Sequence, residues 1–309
     1  MKKNNFNNIY KSILNVIGNT PLLKINFDTN PQIYAKLEYL NPTFSIKDRT
    51  AIYMIEKAEQ EGRLKKGGTI IEASSGNQAI SASAIAAIKG YKMIITCSSK
   101  VSFEKKAAIK AYGAELIECE PQLNFFDGYY KKAKEIYENT PNSIFLNQYF
   151  NQENAESHYY GIGKEIWDQV GDKITHCIMV MGSGGTFCGV SKYLKEKNKN
   201  IKIIGVDSEN SFNATKGNPK PYQLDGMGVD YDSNFLKHER ADEIIFINDE
   251  ESHKMLKTLA RKHGLLVGPA SGGAALATYN YSKKCKDSDF IVTIFTDSGR
   301  AYLSKNYYF

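Results

Sequence analysis

The sequence predicts an α/β protein of parallel-rich, twisted sheets flanked by helices, and three observations carry that prediction. Short β-rich runs alternate with helical patterns along most of the 309 residues. Two apolar strands end in Gly/Ser turns that open directly into helices, at 72–78 and 179–187. The chain is also long enough for about two domains. In order, strands are expected at 33–37, 69–72, 92–97, 115–119, 175–181, 201–206 and 290–295. Helical periodicity falls at 48–61, 78–89, 102–111, 127–137, 187–195, 250–263 and 271–280. The first of these helices aligns Ala51, Met54, Ile55 and Ala58 on one face. Such alternation implies parallel pairing with right-handed crossovers. The Pro/Asn-rich stretch 213–221 is expected to be a long surface loop, a common kind of active-site lining.

Composition excludes several function classes. With 42% apolar and 24% charged residues, this is an ordinary soluble globular chain. No apolar run approaches membrane-spanning length, and the start, Met1-Lys2-Lys3-Asn4-Asn5, lacks a signal-peptide core. A cytoplasmic location is therefore expected, with no membrane partner. The five cysteines are dispersed and lack Cys-x-x-Cys spacing, which argues for free thiols. No His-x-x-x-His pair occurs, so no metal is expected. The net charge of +6 is scattered in short, interrupted pieces, unlike the concentrated face of a nucleic-acid protein.

Five segments carry the chemistry. Asn41-Pro42-Thr43-Phe44-Ser45-Ile46-Lys47 is a turn opening a helix, with Lys47 at or just before its N-terminus. The helix dipole disfavours a cation there, and a neutral lysine amine can condense with a carbonyl cofactor. Gly182-Ser183-Gly184-Gly185-Thr186 is a glycine-rich turn at a helix start, suited to closing backbone N–H groups around a phosphate. It is neither a Walker loop nor the dinucleotide fingerprint. Ser74-Ser75-Gly76-Asn77-Gln78 is a second turn of the same design, whose hydroxyls, amides and free N–H groups suit an α-carboxylate. Asn147-Gln148 ends another apolar run. Asp297-Ser298 follows the last one, where a serine hydroxyl can meet a pyridine nitrogen without protonating it.

Together with Gly18-Asn19-Thr20-Pro21-Leu22, this ordered set resembles the cysteine synthase and cystathionine β-synthase family. These are fold-type II pyridoxal 5'-phosphate enzymes, similar in fold to tryptophan synthase β. The resemblance covers nearly the whole chain. It implies that Lys47 carries the cofactor, Asn77 bonds its ring hydroxyl, Gly182, Ser183, Gly184, Gly185 and Thr186 hold the phosphate, and Ser298 meets the pyridine nitrogen. Ser74, Ser75, Asn77, Gln78 and Gln148 would bind the substrate carboxylate. It further implies a homodimer and two α/β units. The smaller, mobile one would span 40–147, and the larger would combine 1–39 with 148–309. An acyltransferase partner is conceivable in this family but has no support in the sequence.

Three departures narrow the reading. Neither a haem region before Gly18 nor a C-terminal regulatory module is expected. Ser74 and Gln78 replace the two threonines usual in relatives. After Gly226-Met227-Gly228, Asp232 falls where an apolar residue is usual. A carboxylate there can act as a general base on water. The expected reaction is then β-elimination of hydrogen sulfide from L-cysteine and addition of water, through an aminoacrylate, to give L-serine, with Lys47, Ser74 and Asp232 catalytic. O-acetylserine-dependent cysteine synthesis, or cystathionine, lanthionine or diaminopropionate formation, stands as the alternative. A dehydratase or a non-catalytic binding protein would be more distant outcomes.

Overall fold

The computed structural model describes residues 9–122, 125–233, 235 and 241–309. Its strands are β1 (Leu22–Lys24), β2 (Gln32–Leu37), β3 (Thr69–Ala73), β4 (Lys92–Ser98) and β5 (Glu115–Cys119). They continue with β6 (Ser143–Phe145), β7 (His176–Val180), β8 (Lys202–Ser208), β9 (Glu243–Ile247) and β10 (Phe290–Phe295). The helices are α1 (Lys47–Gln60), α2 (Asn77–Lys89), α3 (Phe103–Ala111), α4 (Tyr129–Glu138) and α5 (Glu153–His158). After them come α6 (Lys164–Val170), α7 (Gly185–Lys197), α8 (Asp249–His263) and α9 (Pro269–Ser282).

Two sheets result. The larger has the order β1-β2-β10-β7-β8-β9, the smaller β5-β4-β3-β6. Every pairing is parallel except the β1–β2 hairpin. Strand β10 lies inside the larger sheet and is buried at all six positions, the continuous apolar run expected of a strand covered on both faces. On one face, α8 and α9 pack Leu256, Leu259, Ala274 and Ala277 against Ile33, Ala35 and Phe295. On the other, α7 presents Phe187, Val190 and Leu194 to Ile203 and Val292. The smaller sheet packs its own core against α1 and α2, through Met54, Ile55, Ala82 and Ile85. A buried aliphatic or aromatic side chain contributes about 1.5–3 kcal/mol, so each layer is held mainly by these faces.

Local signals explain the helix ends. The Asn248 side chain accepts the Glu251 N–H at 2.9 Å, three acids fill the first turn of α8, and Arg261, Lys262 and His263 fill its last. Helix α9 starts with Pro269 at its first position. The helix expected from 127 begins at Tyr129 instead, because Gly128 leaves helical geometry and separates it from a 3-10 turn at Phe125–Asp127. Elements β1, β9 and the α5–α6 stretch were not among the expected ones. Between α5 and α6, Tyr159–Gly163 winds as a π-helix.

Candidate active site

The site is assembled where both sheets end. Parallel strands place their C-terminal ends together, and the loops there supply the groups. Strand β7 runs into Gly182–Thr186 and α7, β3 runs into Ser74–Gly76 and α2, and β10 runs into Thr296-Asp297-Ser298. The Lys47 turn is stitched to that last segment. Ile46 N–H donates to Thr296 O at 2.8 Å, and Ser298 N–H donates to Phe44 O at 3.1 Å. Ser45 Oγ accepts the Lys47 N–H at 3.2 Å.

Lys47, Ser74, Ser75, Asn77, Gln78, Gln148, Gly182 and Ser183 therefore line one cavity of about 220 Å³. A smaller recess behind it, of about 50 Å³, adds Gly184, Thr186, Thr296 and Asp297. Lys47 Nζ donates to Ser183 Oγ at 3.2 Å. Asn154 braces the turn, its Nδ2 lying 3.1 Å from Ser183 Oγ and 2.7 Å from Gln148 O. The glycines are sterically required. A Cβ at Gly182 would meet Gly226 O at 2.4 Å, and Gly184 has φ +92°, the left-handed region. The leading N–H groups of α7 have no partner within the helix and so present a ready anion-binding end. Its flank is neutral: burial, then the charges of Lys47 and Arg49, hold the His158 imidazole well below its usual range. Its Nε2 is 3.2 Å from Thr186 Oγ and 3.0 Å from Thr50 Oγ.

Burial lowers the Lys47 ammonium to about 8, opposed by the negative charge of Glu72. Glu72, fully buried in β3, is pushed up to about 8 by the same burial, opposed by hydrogen bonding and by Lys47. The Gln148 N–H and the Gln78 amide lie on its side. Neither carboxylate oxygen, however, meets a partner at bonding geometry among the described residues. The Gln78 amide is likewise buried and unpaired. A half-buried, easily neutralised amine facing a glycine-walled helix start, beside orphaned polar groups, fits a phosphate-bearing aldehyde.

Other expected residues sit differently. Asn77 Nδ2 already donates to Asp297 Oδ2 at 2.7 Å, and Tyr302 OH donates to the same oxygen at 2.5 Å. Burial raises the Asp297 carboxyl, against those hydrogen bonds. Asp297 thus lines the smaller recess that Lys47 also borders. Ser298 lines the adjoining recess with Thr43, Phe44 and Asn77, and its Oγ accepts the Arg300 N–H at 3.3 Å. Ser75 Oγ accepts the Ser98 N–H, and Ser74 Oγ the Gly76 N–H, both at 3.3 Å. Asp232 is exposed, and the wall stops at Val229 in that segment. Asp225, which lines both cavities, is the carboxylate there, 3.7 Å from Lys105 Nζ. Sequence reasoning missed Asp225, Asn154 and His158, which belong to no motif. Glu72 had a signal, an acid inside the apolar run Thr69-Ile70-Ile71-Glu72-Ala73. A larger groove of about 760 Å³ between α5 and α7 lies elsewhere and has no comparable donor set.

The family model of pyridoxal-phosphate dependent enzymes matches residues 13–297. The chain is 38% identical over 96% of its length to a cystathionine beta-synthase of Dictyostelium discoideum, and spans 62% of that relative's length. It is 36% identical to the solved O-acetylserine dependent cystathionine beta-synthase of Helicobacter pylori, covering 97% of this chain and 99% of that one with a TM-score of 0.92. It is 37% identical to the solved hydrogen sulfide-producing enzyme of Fusobacterium nucleatum, covering 96% and 100%, with a TM-score of 0.91.

Proposed function

Because the chain belongs to the pyridoxal-phosphate dependent enzymes, in the cysteine synthase and cystathionine β-synthase family, we propose that it performs β-replacement on L-cysteine. In this reading it releases hydrogen sulfide and adds water to give L-serine. The observation that carries the reading is the cavity's pairing of the Lys47 amine with carboxylate-binding groups and an acid on the same wall, Asp225. The likeness to a sulfide-producing enzyme supports the leaving group.

When bound, pyridoxal phosphate supplies an electron sink for charge developing at the substrate Cα. Lys47 would tether it, Gly182–Thr186 would hold its phosphate, and Asn77 and Ser298 would flank the ring. Lys47 Nζ, already inclined to the neutral state, is the base that takes the Cα proton and later returns it. Ser74, Ser75, Gln78 and Gln148 orient the substrate carboxylate. Asp232 would activate water only once the cavity mouth is brought to it, as a mobile 40–147 unit closing toward the 148–309 unit on substrate would do. Asp225 needs no such movement.

The second reading is O-acetylserine-dependent synthesis, favoured by the Helicobacter likeness. Supplying the holoenzyme with L-cysteine alone separates the two. Sulfide with serine supports the first. No sulfide, with turnover only on O-acetylserine plus a thiol or sulfide, supports the second. Asp232→Asn and Asp225→Asn then identify the base, the true one slowing serine formation roughly 10²–10⁴-fold. We also propose a homodimer, checked by light scattering, and a reducing cytoplasmic setting, to which five free cysteines are suited.

A further inference from the structure

At the opposite ends of the strands that carry the cavity, three donor side chains converge. His176 opens β7, Asp289 immediately precedes β10, and Cys285 lies in the turn after α9. An imidazole nitrogen, the thiol sulfur and a carboxylate oxygen, one from each residue, all lie within 4.8 Å of one another. We propose that His176, Cys285 and Asp289 form a binding site for a thiophilic divalent cation of the zinc class.

The backbone makes the convergence firm. Strands β7 and β10 are paired in parallel with Ile291 opposite His176, so their starts are level. Two successive turns, Cys285 N–H to Ser282 O at 3.1 Å and Asp289 N–H to Lys286 O at 3.0 Å, fold the 282–289 connection back onto those starts. Each ligand is also oriented from behind. Thr175 Oγ lies 2.7 Å from His176 Nδ1, and is itself held by the Phe290 N–H at 2.9 Å and the Phe290 carbonyl at 3.1 Å. With the hydroxyl proton on that carbonyl, Nδ1–H is the donor to Thr175 and Nε2 keeps its lone pair, the usual arrangement behind a ligating histidine. Asp289 Oδ2 accepts the Lys286 N–H at 2.8 Å, which leaves Oδ1 free. The Cys285 thiol donates to Tyr281 O at 3.5 Å, a weak S–H bond that is given up when the thiol loses its proton.

The donor chemistry selects the ion. A thiolate, a carboxylate and a neutral imidazole sum to the charge that balances a dication, and loading would release the Cys285 thiol proton to solvent. One oxygen donor against a sulfur and a nitrogen disfavours calcium and magnesium. Three protein ligands that are all partly exposed leave a fourth, tetrahedral position to water. The neighbouring Lys284 does not compete for Asp289, because both Glu243 oxygens hold its ammonium at 2.9 and 3.1 Å. From His176 to Gly182 the chain runs the length of β7, roughly 20 Å at about 3.3 Å per residue, so the cation would not intrude on the cofactor cavity.

The test uses holoenzyme stripped with a chelator, desalted, and titrated with Zn²⁺ against a chromophoric zinc indicator. We expect one zinc per chain, bound roughly 10-fold or more weakly in Cys285→Ser and in His176→Gln. Cys119→Ser, which removes the other partly buried thiol, should bind like the parent. The cofactor's absorption band, distant from all three positions, reports that each variant is folded. Equal affinity across the parent and all variants, or zinc surrendered entirely by the parent to the indicator, would overturn the proposal.

Discussion

Lys47 and Arg49 stand two residues apart at the start of α1, yet their surroundings make them opposite kinds of cation. Arg49 is enclosed by carboxylates. Its Nε is 2.6 Å from Glu38 Oε2, and its Nη1 is 2.6 Å from Glu165 Oε1. Lys36, fully buried in β2, completes the cluster at 2.7 Å from Glu165 Oε2. Burial pulls the guanidinium down, but Glu38 and Glu165 outweigh it, and the charged state is held firmly. For Glu165, burial is likewise outweighed, by Arg49 and Lys36, and its carboxyl falls to about 2. Among the described residues Lys47 has no such partner at contact distance, only the Ser183 hydroxyl and the charge of Glu72, so burial wins and its amine can shed its proton near pH 8. One turn of helix thus carries a structural cation tying β2, α1 and α6 together, and an easily neutralised amine facing a cavity. What separates them is the number of carboxylates brought to each by distant parts of the chain.

The largest effect should come from removing the easily neutralised member. Lys47→Ala is expected to lose the cofactor's absorption band and to reduce turnover roughly 10²–10⁴-fold while leaving the fold intact. An unchanged band would mean that another group holds the cofactor.

Arg49→Ala tests the other half. It strands the buried Glu38 and frees Glu165, and should cost about 3–5 kcal/mol of stability, measured by denaturant unfolding. A loss below about 1 kcal/mol would reduce the cluster to the rank of a surface ion pair.

A third expectation is a pH effect from Glu72. Its carboxyl is raised from 4.5 to about 8 in the folded state, so the folded protein binds more protons between those values. That contribution to stability is complete below pH 4.5 and is lost as pH rises through 8. Glu72→Gln should flatten this decline. It should also shift cofactor uptake by the apoenzyme to lower pH, because the charge that raises Lys47 is gone. Identical uptake profiles for parent and variant would uncouple the pair.

The smallest effect is expected for Ser183→Ala. Losing the hydroxyl shared by Lys47 and Asn154 should weaken cofactor affinity by about 0.5–1.5 kcal/mol, read by equilibrium dialysis.

Much of the fold is legible locally. The run 290–295 coincides with β10, and 69–72 and 92–97 fall within one residue of β3 and β4, because short runs rich in β-branched residues between turn signals leave little choice. Strand β9 lies outside the expected set although Ile244-Ile245-Phe246-Ile247 is an apolar run; in the fold it is a half-exposed edge strand laddered to β8. The α5–α6 stretch escaped because its Gly, Asn and Tyr residues carry no clean helical period. Its form depends on packing against α7, where a Cβ at Gly189 would strike Ala155 O at 2.1 Å.

The site divides in the same way. Sequence alone determined that Lys47 opens a helix, that two glycine or serine turns follow strands, and that a third polar pair ends β10. These are short-range patterns, and parallel pairing then brings such strand ends to one cleft. Tertiary structure decided that Asp297 rather than Ser298 lines the recess bordered by Lys47, that Asp225 rather than Asp232 lines the cavity, and that residues 176, 285 and 289 meet. It also decided that Lys47 is easily neutralised and Arg49 is held charged. Each of these outcomes depends on burial and on charges contributed by residues far apart in the chain, and no local pattern encodes such a sum.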